Sequence, residues 1–213
     1  MRSFEEQLHP SWKACLEQSL DLLNEIERRV ARTAFLPKHD LVMRALSRDI
    51  DEVKVVIFGQ DPYPNPEYPV GLSFSVTRDT AKLPQSLRNI LKELSADLGV
   101  EQPHHGDLSQ WQDQGVLLLN RVLTISAVDR KSHSDLGWQR FTDEVAKVLG
   151  ERDVVAILWG EKASELEKYF RYVVKSAHPS PLSAYKGFLG SKPFSRANDM
   201  LKELNRSPID WRL

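Results

Sequence analysis

Residues 53–58, Val-Lys-Val-Val-Ile-Phe, stop abruptly at Gly59-Gln60-Asp61-Pro62-Tyr63-Pro64, and this junction constrains the fold more than any other stretch. The apolar run has the length and β-branched content of a strand covered on both faces, whereas a helix so buried would be longer and poorer in valine. Pro62 and Pro64 cannot continue it. They press Asp61 and Tyr63 towards extended geometry, while Gly59 opens backbone conformations closed to other residues. A carboxylate, a carboxamide and a phenol are thus held on a stiff loop at the carboxyl end of a strand, where open α/β sheets place their ligands.

The same pattern recurs along the chain. Residues 116–119 form a second apolar run that ends at Asn120, 154–158 a third that ends at Trp159-Gly160, and 172–174 a fourth followed by Ala177-His178-Pro179-Ser180-Pro181. Helical periodicity lies between them. Leu87, Ile90, Leu91, Leu94 and Leu98 mark a helix introduced by Pro84 and Ser86 and ended by Gly99; Trp138, Phe141, Val145, Val148 and Leu149 mark one closed by Gly150; Phe194, Ala197, Leu201 and Leu204 mark the last. Strands alternating with helices imply βαβ crossovers and a mainly parallel sheet, which carries Asp61, Asn120, Gly160 and His178 to one edge.

Shorter segments are read the same way. The spacing of Trp12, Leu16, Leu20, Leu23, Ile26 and Val30 predicts one amphipathic helix over 11–32 with Ser11 as its cap, and a shorter helix is expected over 41–46. Residues 71–76 alternate as a short strand or extended rim segment, Asp107 is placed to cap a short helix, and 163–170 reads as another helix. Trp111, Trp138 and Trp159 read as core, Ser86 as a cap, and Ile209-Asp210-Trp211 as an anchor for the tail.

A length of 213 residues without repeats or linkers fits one domain, 1–213. With 28% charged residues and a net charge of -1 no global field announces a nucleic-acid partner, so any basic surface is local. Cys15, the single cysteine, excludes an intramolecular disulfide, fits a reducing compartment and is expected to pack on its helix. Residues 1–9 lack a signal-peptide pattern and no apolar run reaches membrane-spanning length, so a cytoplasmic protein without membrane contact is expected. Phosphate-loop, dinucleotide and nucleophile-elbow motifs are absent, and the histidines never take metal-ligand spacing. What remains is a carboxylate, a histidine and an asparagine without a nucleophilic serine or cysteine beside them, a set suited to attack by water.

Four motifs stand out in order: Gly-Gln-Asp-Pro-Tyr at 59–63, Gly-Leu-Ser-Phe-Ser at 71–75, Gly-Val-Leu-Leu-Leu-Asn at 115–120 and His-Pro-Ser-Pro-Leu-Ser at 178–183. They closely resemble the family-1 uracil-DNA glycosylases, and the likeness runs from about Pro37 through Leu158-Trp159-Gly160 to Pro208-Ile209-Asp210-Trp211. The resemblance implies a three-layer α/β/α fold around a central four-stranded parallel sheet. It implies a metal-independent, monofunctional hydrolase, without cofactor and monomeric, that flips deoxyuridine out of single- or double-stranded DNA, releases uracil and leaves an abasic site. Asp61 would position water and offset positive charge on the sugar. His178, as a neutral imidazole, would donate to uracil O2, and Asn120 would pair with the N3–H and O4 edge. Tyr63 would wall off the thymine methyl, Phe74 stack on the base, and Gln60 line the pocket through its backbone.

For DNA itself the resemblance implies Pro84, Ser86, Gly160, Ser180, Ser183 and Lys186 along the phosphates and Leu182 as the wedge that fills the vacated stack. It also brings in a DNA-mimicking inhibitor protein as a second partner. Two positions depart from the family pattern: Pro64 stands where a histidine is common, and Glu161 where a serine is common. The second puts an anion near the expected phosphate path and is expected to turn away from it.

Overall fold

Each of the four apolar runs is a strand in the structure, a computed structural model describing residues 2–213. We label them β1 (Val55–Gly59), β2 (Val116–Asn120), β3 (Val155–Trp159) and β4 (Tyr172–Ser176). They are parallel, in spatial order β2-β1-β3-β4. Gly59 lies opposite Asn120, Phe58 opposite Leu158 and Trp159 opposite Ser176, so the carboxyl ends come out nearly level. The chain steps from β1 to β2 in one direction and returns past β1 to reach β3. Right-handed crossovers then fall on opposite faces, and the order reverses between β1 and β3, the crevice where open sheets bind ligands.

Four longer helices cover the sheet: α1 (Leu20–Val30), α2 (Gln85–Leu98), α3 (Trp138–Gly150) and α4 (Pro193–Glu203). Helix α1 packs on α3, α2 on α4, and α4 on β3 and β4, giving the expected three layers. Gly99 ends α2 in the left-handed region, at φ 66°. The tail is a buried anchor. Trp111 Nε1 donates to Trp211 O at 2.8 Å, and Asn198 exchanges two bonds with Ile209. Trp111, Trp138 and Trp159 are core. Among the described residues no helix is long and apolar enough to cross a membrane.

Several local expectations change. The helix over 11–32 is broken into Pro10–Cys15, a 3-10 turn at Glu17–Ser19, and α1. The break lets the Trp12 indole reach Arg48 O at 2.9 Å while α1 packs on α3. Ser11 does not cap: His9 does, and the Ser11 hydroxyl accepts from Ile50 N at 3.0 Å. Cys15 is exposed rather than packed, with Arg152 at its sulfur. Residues 41–46 and 163–170 hold 3-10 turns and a short helix, Glu161–Ser164, instead of continuous helices. Residues 71–76 form no strand: 71–74 bend and turn, and 75–76 have no regular structure. Ser86 caps nothing, since Pro84 holds the cap position and Ser86 lies inside the first turn. Leu108, not Asp107, holds the cap position of the helix Ser109–Asp113, and Asp107, one residue ahead of it, accepts from Ser109 N at 3.0 Å.

Candidate active site

Gln60, Asp61, Tyr63, Phe74, Ser86, Asn120 and His178 come together around one cavity of about 290 Å³ at the carboxyl edge of the sheet. The strand ladder continues into this loop, because Arg121 N donates to Gly59 O at 2.9 Å and Val122 N to Gln60 O at 3.0 Å. Gln60 lines the cavity and is exposed. Gly59 is required by close packing: a Cβ there would lie 2.2 Å from Asn120 Oδ1. The Asn120 amide makes no hydrogen bond within the protein among the described residues, so both its acceptor and its donors are available to a ligand.

Asp61 accepts a hydrogen bond from the Ser132 hydroxyl. That serine arrives on a hairpin closed by Ser126 N donating to Lys131 O at 2.9 Å and by the bridge between Ile125 and Ser132. Its neighbour His133 is fixed by Thr124 Oγ1 at 3.0 Å, and Thr124 in turn accepts from Trp138 Nε1 at 2.8 Å. Nothing local in the sequence announces this pairing across 71 positions.

Wall and floor of the cavity are tied by one bond. The Tyr63 hydroxyl donates to Phe74 O at 2.9 Å, and burial raises the Tyr63 pKa, which keeps that proton in place. Phe74 has φ 63°, a left-handed conformation that costs a non-glycine residue about 1–3 kcal/mol. The surroundings hold it there. Ser73 N donates to Leu118 O at 3.1 Å just before it, and the Phe74 ring meets Trp159 edge-on at 5.3 Å and His178 at 6.0 Å. Trp159 leads on to Phe194 and Trp211, so an aromatic column runs from the tail anchor to the cavity floor.

Two separable features favour the neutral form of His178. Its Nδ1 accepts from Ser180 N at 3.0 Å, so the ring carries its proton on Nε2, and burial lowers its pKa below the ordinary 6.5. Gly160 makes room for it: φ is 87°, and a Cβ would lie 2.9 Å from His178 Cβ. The Gly160 amide is already bonded to Ser176 O at 2.9 Å.

The residues expected along the DNA separate into groups. Gly160, Ser183 and Lys186 line a second, more open groove of about 820 Å³ that shares Gln60 and His178 with the first cavity. Glu161 lines it too, with Lys162 and Lys186. The hydroxyls of Ser180 and Ser183 are linked at 2.7 Å, and Ser183 donates to His178 O at 2.8 Å, so both serine protons serve the loop itself. Leu182 is 86% exposed and Tyr185, which sequence reasoning missed, 79%. Pro84 and Ser86 stand at the amino end of α2, whose first amides favour an anion. Among the described residues no cluster of three or more His, Cys, Asp or Glu could hold a metal ion.

Residues 48–202, well over half of the chain, match the family model described as the uracil DNA glycosylase superfamily. The chain belongs to that superfamily. Every candidate site residue from Gln60 to Lys186 falls inside the matched span. A uracil-DNA glycosylase of Corynebacterium efficiens is 45% identical, covering 97% of this chain and 91% of its own. One of Thermobifida fusca is 44% identical over 100% and 97%. The crystal structure of mimivirus uracil-DNA glycosylase superposes with TM-score 0.88 at 26% identity, covering 99% of this chain and 89% of its own. A Y322L variant of the mimivirus protein, solved in complex with UGI, superposes equally well over 99% and 91%.

Proposed function

We propose that this chain is a uracil-DNA glycosylase whose chemical centre is Asp61, Asn120 and His178. The observation that carries the reading is the convergence of these three side chains, from the ends of three different strands, on one cavity walled by Tyr63. A flipped uracil would lie on Phe74 with its N3–H and O4 facing the Asn120 amide. Cytosine presents the opposite donor and acceptor order there, and a mismatched buried polar pair discriminates on the order of 10⁴-fold. The thymine methyl would meet the Tyr63 ring, which its bond to Phe74 O prevents from swinging aside.

Hydrolysis breaks the C1′–N1 bond, with its electron pair leaving on uracil, and forms a bond from water oxygen to C1′; the proton that this water gives up is matched by the one the uracil anion takes up from solvent, so the released base is neutral. The Asp61 carboxylate stabilises positive charge on the sugar and orients the water, while Ser132 holds one of its oxygens. His178 Nε2–H donates to O2, where the leaving base gathers negative charge. A neutral imidazole is the right donor, since an imidazolium would need a proton that burial disfavours.

Extrusion of the nucleotide costs a few kcal/mol of stacking and pairing. Leu182 would fill the vacated space, with Ser86 at the amino end of α2 and the 180–186 loop on the flanking phosphates. These contacts read no sequence, so the enzyme would act on single and double strands in many contexts, as a monomer and less well in high salt. The same exposed face, Leu182 included, is the surface we assign to an inhibitor protein of the UGI class. Asp61→Asn tests the centre: turnover on uracil-containing DNA should fall by at least 10²–10³-fold with binding retained, and unchanged turnover would remove Asp61 from the chemistry.

A further inference from the structure

Helix α2 carries a polar stripe at every fourth residue, Asn89, Glu93 and Asp97, on the side facing the loop that follows β4. Asn89 is only 6% exposed and Glu93 only 2%. A buried carboxylate without a cation is costly, and it persists where backbone donors surround it. Glu93 has no cationic partner among the described residues. Its two oxygens accept from Gly190 N at 2.7 Å and Lys192 N at 2.9 Å. Those two residues sit at φ 86° and 52°, and left-handed turns of this kind gather amides into an anion-binding concavity. Here the anion is a side chain of the protein itself, and it holds Lys192 in a conformation that residue would otherwise avoid.

One turn earlier, Asn89 Nδ2 donates to Pro179 O at 2.8 Å, next to His178. One turn later, Asp97 accepts from Phe194 N and Ser195 N, both at 2.9 Å, and so caps α4 from outside. The lowest rung is a helix cap. The upper two grip the two ends of the segment 179–190, whose middle presents Leu182 and Tyr185 to solvent. The helix that supplies both rungs also carries Ser86 in its first turn, lining the cavity.

We propose that Asn89 and Glu93 are positioning residues for base extrusion: α2 clamps the wedge loop at both ends, so that Ser86, His178 and Leu182 meet DNA as one rigid body. The idea rests on the glycosylase reading above. A loop held before DNA arrives loses little freedom on binding, which leaves more of the contact energy for opening the duplex. Single strands need no wedge, so the clamp should matter to duplex DNA above all.

The test is Asn89→Leu, which keeps volume and removes the donor, assayed by single-turnover uracil release on duplex and single-stranded oligonucleotides, alone and combined with Leu182→Ala. The duplex rate should fall about tenfold further than the single-strand rate, the scale of one buried hydrogen bond, and this extra loss should vanish once Leu182 is alanine. Equal losses on both substrates, or an extra loss that persists in the Leu182→Ala background, would overturn the proposal. If Asn89→Leu does not fold, Glu93→Gln carries the same expectations. Amide hydrogen exchange over 180–192 in the DNA-free protein reads the clamp apart from activity: faster exchange in the variant supports it and unchanged exchange overturns it. A wild-type protein that releases no uracil while the variant exchanges faster would refute the glycosylase reading and support the clamp.

Discussion

Gly59→Ala places one methyl group directly against the Asn120 amide. The added Cβ would lie 2.2 Å from Asn120 Oδ1 and 2.9 Å from Ser73 Cβ. Real contacts of a Cβ begin near 3.0 Å, so the amide oxygen would have to withdraw by about 0.8 Å. Gly59 and Asn120 face each other as a register pair at the end of β1 and β2, so the strands cannot simply slide apart to relieve the contact. A misplacement of about 1 Å in a group that orients the reacting species can cost on the order of 10²-fold in rate, or about 2.7 kcal/mol. The assay is single-turnover release of uracil and of cytosine from matched oligonucleotides, beside a thermal melt of each protein. The variant should melt as a folded domain, lose about 10²-fold on uracil and narrow the gap between uracil and cytosine. Wild-type rates and selectivity would mean that Asn120 does not read the base from its observed position.

Two further outcomes follow from the same geometry. Tyr63→Ala removes the wall and its bond to Phe74 O, so thymine release should appear, with discrimination falling towards the roughly 10–200-fold that one methyl contributes by hydrophobic contact; no gain of thymine release would mean the wall is elsewhere. Burial lowers the His178 pKa from 6.5, so the neutral ring predominates from that pH upward and the His178-dependent fall in turnover should lie below it. Stability has the same sign: the unfolded chain binds the proton from about pH 6.5 downward, so this contribution is full above 6.5 and lost towards the folded pKa. A pH–rate profile whose His178-dependent limb lies above 6.5 would contradict the neutral assignment.

The parts of the fold carried by local pattern were legible. Four apolar runs, two of them leading straight into Asp61 or Asn120 and two into the Gly160 and His178 loops, were enough to place Asp61, Asn120, Gly160 and His178 on one edge. Long-range hydrogen bonds were not. Ser132 meets Asp61 only because a hairpin brings it back, and a serine in a polar stretch carries no sign of such a partner. Asn89 and Glu93 occupy ordinary positions in an amphipathic helix, and their targets are backbone groups, which every sequence supplies equally. The positive φ of Phe74 is likewise set by its surroundings, since nothing in phenylalanine favours it. The uninterrupted helix expected over 11–32 failed for the opposite reason: its period was sound, but each half has its own tertiary partner, Arg48 O for Trp12 and α3 for α1, and the chain breaks between them.

The central claim is tested most directly by measuring free base released from oligonucleotides carrying uracil, thymine or cytosine at one position, single- and double-stranded, with a chelator present. The account predicts release of uracil alone, from both strand types and undiminished by the chelator. Release of thymine or cytosine at a comparable rate, or retention of all three bases while DNA still binds, would contradict it.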